Sequence, residues 1–243
     1  MQSVMCMKWG KAYGPEYVNK LYSMVRRNTT RPLRFVCFTD DPAGLAPEVQ
    51  AHPLPPIDLP AGYEWTPWRK VSLWQEQLAD LSGDVLFLDL DVVVTGSVDP
   101  LFDFAPQSPF CVIENWTQPG ARIGNTSVFR LRIGSNPRVF ETMQADPAKT
   151  VRDFANEQTL ATRLASSVVF WPTGWCVSFK HSLLPRWPLN FLRPAAFPSQ
   201  AIVTCFTGHP NPDEARDGVW PTVWYKRVHK HVRPTPWIAE HWR

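Results

Sequence analysis

From Val85 to Val94 the chain reads VLFLDLDVVV, an apolar run broken only by Asp89 and Asp91. Such a run reads as a strand with two aspartates at its end. Side chains alternate faces along a strand, so the two carboxylates point to the same side. Two like charges beside an apolar run are costly to bury unless something neutralises them. A divalent cation does so, and Mg²⁺ and Mn²⁺ prefer carboxylate oxygen. A cation held by few protein ligands keeps positions open for the oxygens of a diphosphate. The competing reading is a strand that ends at the surface with two solvated aspartates. Asp-x-Asp is short and common, so its surroundings must decide.

Those surroundings alternate strand and helix. Residues 2 to 9 (QSVMCMKW) predict a first strand. Pro15 to Arg27 predicts a helix with Tyr17, Val18, Leu21, Met24 and Val25 on one face. RFVCFT (34 to 39) predicts a second strand, closed by the turn-like DDPAG. Residues 41 to 67 are rich in Pro and Gly and read as a loop. Residues 68 to 81, apolar at Val71, Trp74, Leu78 and Leu81, predict a helix ended by Gly83. This order implies a parallel sheet with helices on its faces, in which ligands bind beyond the carboxyl ends of the strands. Asp89 and Asp91 lie at such an end. Further on, residues 110 to 115 and 127 to 133 predict strands, and 136 to 143 and 156 to 164 helices.

Composition excludes several classes. With 44% hydrophobic and 19% charged residues the chain is expected to be globular, and its length suits one domain. No run approaches the roughly 18 apolar residues of a membrane helix, and the first residues lack the apolar core of an export signal. The five cysteines are far apart with no CxxC pair, which predicts buried reduced thiols in a cytoplasmic protein. A net charge of +3 gives no reason to expect nucleic acid as a partner. Gly-rich phosphate loops are absent: there is neither GxGxxG nor GxxxxGK[ST].

Five ordered segments carry a resemblance. They are WRKVSLWQ (68 to 75), FLDLDVVVTGSVDPLFD (87 to 103), GNTSVFRL (124 to 131), NEQTLATRL (156 to 164) and FTGHPNP (206 to 212). Together they resemble the glycogenin-like glycosyltransferases, glycosyltransferase family 8 or a related bacterial family. Glu157-Gln158 stands where that family has Asp-Gln, Asn125-Thr126-Ser127 where it has Asn-Ser-Gly, and no Lys-Pro-Trp follows His209.

The resemblance implies an α/β GT-A fold, a single Rossmann-like mixed sheet with flanking helices. The catalytic domain would span residues 1 to 212, with a basic, Trp-rich extension from 213 to 243. It implies a metal-dependent transferase that moves a hexose from a nucleotide-diphosphate sugar, a UDP-sugar first of all, to an acceptor hydroxyl. Retention at the anomeric carbon, a glycan or glycolipid acceptor and a setting in bacterial surface glycan or lipopolysaccharide assembly are implied with it.

On this reading Asp89 and Asp91 hold Mn²⁺ (or Mg²⁺), with His209 as a third ligand, since a neutral imidazole suits Mn²⁺. The alternative for His209 is a surface loop histidine. Lys70, or Arg69 in its place, supplies positive charge to the departing diphosphate; otherwise it is a solvated helix lysine. Asn125 and Ser127 bond sugar hydroxyls. Glu157 and Gln158 stand beside the reacting sugar carbon, where a carboxylate favours a cationic transition state; as first residues of a helix they could equally favour its dipole. Tyr13 stacks on the base, and Thr39 and Asp40 contact base or ribose.

Two rivals remain open. A haloacid-dehalogenase-type phosphatase also carries Asp-x-Asp at a strand end, but in its first strand and followed by Gly-Thr or a similar pair. A non-catalytic sugar-nucleotide binder would keep Asp89 and Asp91 without turnover. Residues 226 to 243 hold five basic residues more conspicuous than their one Glu, interleaved with Trp237 and Trp242. That composition predicts peripheral contact with an anionic membrane surface, with the two tryptophans inserting at the headgroups; the alternative is a tail that packs on the domain or binds an anionic acceptor.

Overall fold

The computed structural model describes residues 1 to 243. A seven-stranded sheet forms its centre. Three strands run parallel in its first half: β1 (Gln2–Lys8), β2 (Leu33–Thr39) and β3 (Val49–Pro53). β4 (Asp84–Leu88) continues the parallel set on the other side of β1. β6 (Phe110–Glu114), β7 (Gly124–Arg132) and β8 (Val169–Phe170) complete it, in the order β3-β2-β1-β4-β7-β6-β8. β7 runs antiparallel to both β4 and β6, so the sheet is mixed, as the α/β expectation required.

β1, β2 and β4 are apolar on both faces because both faces are covered, whereas the edge strand β3 is mostly exposed. Val4, Cys6, Phe35, Cys37, Leu86 and Leu88 face α1 (Pro15–Arg27) and its neighbours. Met5, Met7, Val36, Phe38, Val85 and Phe87 face the segment 67 to 81. α1 buries Tyr17, Val18, Leu21, Met24 and Val25, the stripe that its period predicts. Burial on both sides leaves no polar face in the central strands. All five cysteines are buried and free, as expected.

Two departures concern local structure. Val49–Pro53 is an edge strand inside the expected loop, paired with β2 from Phe35↔Val49 onward. The expected helix over 68 to 81 is a 3₁₀ helix over Pro67–Trp74 only, and Gln75 then turns extended. Apolar spacing suggested an α-helix, but six of these eight residues are buried, so no single stripe organises the segment. Trp74 stacks on Phe129 (5.7 Å) and meets the edge of Phe110 (4.8 Å). Packing outweighs the modest propensity differences here.

The strand carrying the aspartates changes sheets. Asp89 N donates to Ser127 O (2.8 Å) and still belongs to the large sheet. Three residues on, β5 (Val92–Val94) pairs with β10 (Val203–Cys205), which also pairs with β9 (Cys176–Ser178). Phe206 N donates to Asp91 O (3.0 Å). The two aspartates thus sit where a small second sheet peels away from the first, and the gap between them is a cleft.

Helices α2 (Asp99–Asp103), α3 (Arg138–Ala145), α4 (Pro147–Asp153), α5 (Glu157–Leu164), α6 (Pro212–Asp217) and α7 (Pro236–His241) surround this frame. Arg130 on β7 is fully buried with no carboxylate partner. Its guanidinium donates to the carbonyls of Leu101, Phe102, Phe104, Ala105 and Ser108 at 2.5 to 3.3 Å, fixing the loop after α2.

The C-terminal segment departs from expectation. Trp237 and Trp242 do not face solvent; they are 8% and 3% exposed and share the apolar cluster of β1 and α1. Trp242 meets Tyr17 edge-on at 5.1 Å, and Lys20 Nζ stands 3.4 Å over its ring. Arg27 donates to the carbonyls of His241 (2.8 Å) and Arg243 (2.5 Å). These two tryptophans are core residues and are not available to insert at a membrane. Gly218 is what lets the segment return: its φ is +75°, and a Cβ there would lie 2.5 Å from Pro234. No helix is long and apolar enough to cross a membrane.

Candidate active site

Two adjoining cavities meet at Asp89 and Asp91. The larger, about 730 Å³, is walled by Trp9, Gly10, Tyr13, Asp40, Asp41 and Trp65 among others. The smaller, about 340 Å³, is lined by Asn115, Asn125, Ser127, Glu157, Gln158 and His181 with further polar residues. Pro67, Lys70, Asp89 and Asp91 line both. One compartment is aromatic, the other offers amides and hydroxyls, and the carboxylates form the seam.

Lys70 organises the seam. The 3₁₀ segment buries it (6% exposed) among apolar neighbours, which forces its ammonium onto the few polar groups in reach. Nζ donates to Asp89 Oδ2 (3.2 Å) and Oδ1 (3.3 Å) and to Thr126 O (3.2 Å), and lies 3.3 Å from Glu157 Oε1. Thr126 Oγ1 donates to the same Glu157 oxygen at 2.8 Å. Burial disfavours the ammonium, but the Asp89 and Glu157 carboxylates outweigh it and raise its pKa above the usual lysine range. Lys70 is therefore a buried, charged bridge and not the solvated helix lysine that was its alternative.

Asp91 is in the opposite position. Burial and then the neighbouring Asp89 charge push its carboxyl up to about 7. Tyr13 OH donates to its Oδ2 at 3.2 Å. Burial, followed by the Asp91 and Asp89 charges, raises the Tyr13 phenol as well, so Tyr13 stays a neutral donor. A carboxylate that binds a proton this readily is short of positive charge. The pair thus fits a hard divalent cation whose remaining ligands come from outside the protein. No third His, Cys, Asp or Glu joins them in ligating position.

His209 in particular stands apart. Its Nδ1 lies 2.8 Å from Glu214 Oε2, the oxygen that also accepts from Asn211 N (2.7 Å) in the capping box of α6. Its side chain is 55% exposed. Thr207 and Gly208 of the same loop reach the cleft, and so does His181 from the turn after β9. In this structure His209 is an exposed loop histidine held by Glu214.

The other expected residues divide. Asn125 and Ser127 line the smaller cavity, and Asn125 Oδ1 accepts from Ser127 N (3.1 Å). Glu157 and Gln158 line it too, presented at the start of α5 because Asn156 caps that helix by accepting from Thr159 N (2.9 Å). Asp40 lines the larger cavity, but its Oδ2 accepts from Gly10 N (2.9 Å). Thr39 does not face the cavity: its hydroxyl donates to Asp41 O (3.0 Å) and accepts from Asp41 N (3.1 Å), closing the turn after β2. Arg69 turns to Glu64 O (3.0 Å).

Several lining residues carried no expectation. Trp9 follows the first strand as directly as Tyr13 does, so the strand-end rule was enough to find it. Trp65 had no signal, lying in a Pro-rich stretch. Its ring covers Gly10, where a Cβ would stand 3.0 Å from the indole, and Gly10 has φ +63°. Asn115 and Thr117 form an Asx turn at the mouth of the smaller cavity (Thr117 N to Asn115 Oδ1, 3.0 Å).

No protein-family model and no curated protein sequence matches the chain. Solved structures do. The galactosyltransferase LgtC, in complex with donor and acceptor sugar analogues, is similar over 87% of this chain and 89% of its own, with a TM-score of 0.59 at 14% identity. The bifunctional glycosyltransferase WbbM matches 87% of this chain and 46% of its own (TM-score 0.59, 11% identity). The glycosyltransferase GlyE of Streptococcus pneumoniae TIGR4 matches 87% and 56% (TM-score 0.55, 14% identity). A mixed seven-stranded sheet, a small second sheet and a cleft at an Asp-x-Asp turn thus belong, in this chain, to the GT-A glycosyltransferase fold.

Proposed function

We propose that the chain is a divalent-cation-dependent glycosyltransferase that moves a hexose from a UDP-sugar to an acceptor hydroxyl of a glycan or glycolipid, with retention at the anomeric carbon. The observation that carries this reading is the seam: Asp89 and Asp91 lie between an aromatic compartment and a compartment of sugar-type hydrogen-bonding groups.

Asp89 and Asp91 would hold Mn²⁺ or Mg²⁺, which neutralises charge on the departing diphosphate. The base and ribose occupy the larger cavity, against Tyr13, Trp9 and Trp65, with Asp40 and Asp41 at its polar edge. Thr39 acts there by shaping the turn. The sugar lies over the smaller cavity, where Asn125, Ser127 and Gln158 orient its hydroxyls. Glu157, fixed by Lys70 and Thr126, presents a carboxylate to a ring that becomes cationic in the transition state. Lys70 holds Asp89 and Glu157 in place while adding positive charge near the leaving group. Bacterial surface glycan assembly is the setting we favour.

The phosphatase reading loses its ground, since the chain has a glycosyltransferase fold and its Asp-x-Asp ends a later strand. The deciding experiment is a panel of nucleotide sugars with Mn²⁺, scored for thermal stabilisation and slow donor hydrolysis. One UDP-sugar should do both, and excess EDTA should abolish both. Full activity in EDTA refutes the metal role. Stabilisation without turnover, even with acceptors present, would favour a non-catalytic binder.

A further inference from the structure

One face of the protein is apolar and basic together. It is built from two segments distant in sequence, 186 to 193 (RWPLNFLR) and 223 to 233 (VWYKRVHKHVR). The segments are stitched to each other. Buried Asn190 donates to the carbonyls of His231 (2.9 Å) and His229 (3.3 Å), and Arg233 donates to Phe191 O (3.1 Å). The Phe191 ring stacks on His231 at 4.3 Å. The face is thus preformed.

Its apolar side chains point outward. Trp224 is 80% exposed, Leu192 71%, Val228 61% and Trp187 59%. Trp187, Phe191, Leu192 and Val228 wall one shallow, open depression. An isolated exposed apolar residue needs no explanation, but a contiguous group does. The charge is equally one-sided: the two segments hold six Lys and Arg residues and neither Asp nor Glu. Arg227 lies on the rim of the depression itself, and Lys226 Nζ stands 5.8 Å over the Tyr225 ring.

The face also adjoins the cleft. Lys180 donates to Thr207 O on the cleft wall, and burial and then the Lys230 charge lower its pKa.

We propose that residues 186 to 193 and 223 to 233 form a docking face for an anionic phospholipid surface. Aromatic and aliphatic side chains ringed by cations match the headgroup boundary, where indole rings settle and basic residues meet lipid phosphates. A protein partner of matching acidity would need carboxylates set against each cation; a lipid surface supplies mobile anions and an apolar interior to a shallow face. The basic residues 226 to 233 are among those that composition singled out, but the apolar anchors differ, because Trp237 and Trp242 are buried while Trp187, Leu192 and Trp224 are free. The docking stands apart from the identity of the donor. It would hold the cleft close to the membrane, so that under the transferase reading the acceptor is borne on lipid.

The test is sedimentation of the full chain with phosphatidylcholine vesicles containing phosphatidylglycerol, against vesicles of phosphatidylcholine alone. The wild type should bind the anionic vesicles at low salt, bind neutral ones far less, and release as salt rises. Neutralising Lys226, Arg227 and Lys230 together (each to Gln) should lower partitioning on the order of a hundredfold, at about fivefold per charge. Leu192→Ser with Trp224→Ser should lower it by at least about tenfold. Both variants change exposed side chains, apart from the half-buried Lys230, so thermal melting should match the wild type. Failure of the wild type to sediment at low salt overturns the proposal, as does equal binding by folded variants. A concentration-dependent dimer that the serine pair abolishes would overturn it too, because a second copy would then cover the face. These readouts need no donor or turnover, so they stand or fall separately from the transferase assay.

Discussion

Replacing Lys70 by Met tests the centre of the site. The substitution keeps the length and apolar stem of a residue that is 6% exposed and removes only the ammonium. In the wild type that ammonium lies 3.2 Å from Asp89 and 3.3 Å from Glu157. Each attraction is about 5 kcal/mol at an effective dielectric of about 20. Most of that is offset by the desolvation of three charged groups, so the net value of the bridge is small. Removing one member is different, because two carboxylates and the Thr126 carbonyl then face each other uncompensated. Breaking a buried ion pair in this way costs about 3–5 kcal/mol.

The cost should depend on Glu157. In Lys70→Met/Glu157→Gln one of the stranded charges is gone, and the amide can still accept from Thr126. The double variant should therefore be more stable than the Lys70→Met single variant, with a coupling of about 1–3 kcal/mol. Urea denaturation in the presence of EDTA measures this, since the chelator keeps adventitious cations from replacing the ammonium. A loss below about 1 kcal/mol in Lys70→Met would refute the bridge. So would losses that simply add in the double variant, because the ammonium and Glu157 would then be energetically independent.

Asp91→Asn should fold normally yet lower donor turnover by at least about a hundredfold, read from initial rates with Mn²⁺; near-normal rates would remove Asp91 from the site. Gln158→Ala should reduce turnover more than UDP affinity, because it lines the polar compartment and not the aromatic one. Calorimetry beside initial rates checks this, and equal losses in both would point to a merely structural role. Trp65→Ser should do the reverse, weakening UDP binding with little effect on folding stability, as the ring is 67% exposed. Trp237→Ala should cost about 3–5 kcal/mol in urea denaturation, as for any buried large aromatic; a loss under about 1 kcal/mol would mean that the C-terminal segment is not part of the core.

What was legible in the sequence was what local periodicity encodes. α1 announced its buried stripe at Tyr17, Val18, Leu21, Met24 and Val25, and the continuous apolar runs of β1, β2 and β4 announced strands covered on both faces. Asp89 and Asp91 were legible for the same reason: a charge in an apolar strand is conspicuous without knowledge of its neighbours. Lys70, Glu157 and Gln158 were reachable through ordered motifs, though not the fact that one ammonium joins two of those motifs to Asp89.

Tertiary structure decided whatever depends on which segment lies beside which. His209 and Glu214 are close in sequence, yet the choice of Glu214 over the aspartates follows from how β10 leads into α6. The basic residues around Trp237 and Trp242 have an interfacial composition, but α1 offers those rings an apolar bed and Lys20 a cation over one of them. Trp187 and Trp224 are no less apolar and found no such bed. Burial is a property of the pair of surfaces that meet. A tryptophan's own neighbours along the chain therefore do not settle whether it ends in the core or in the solvent.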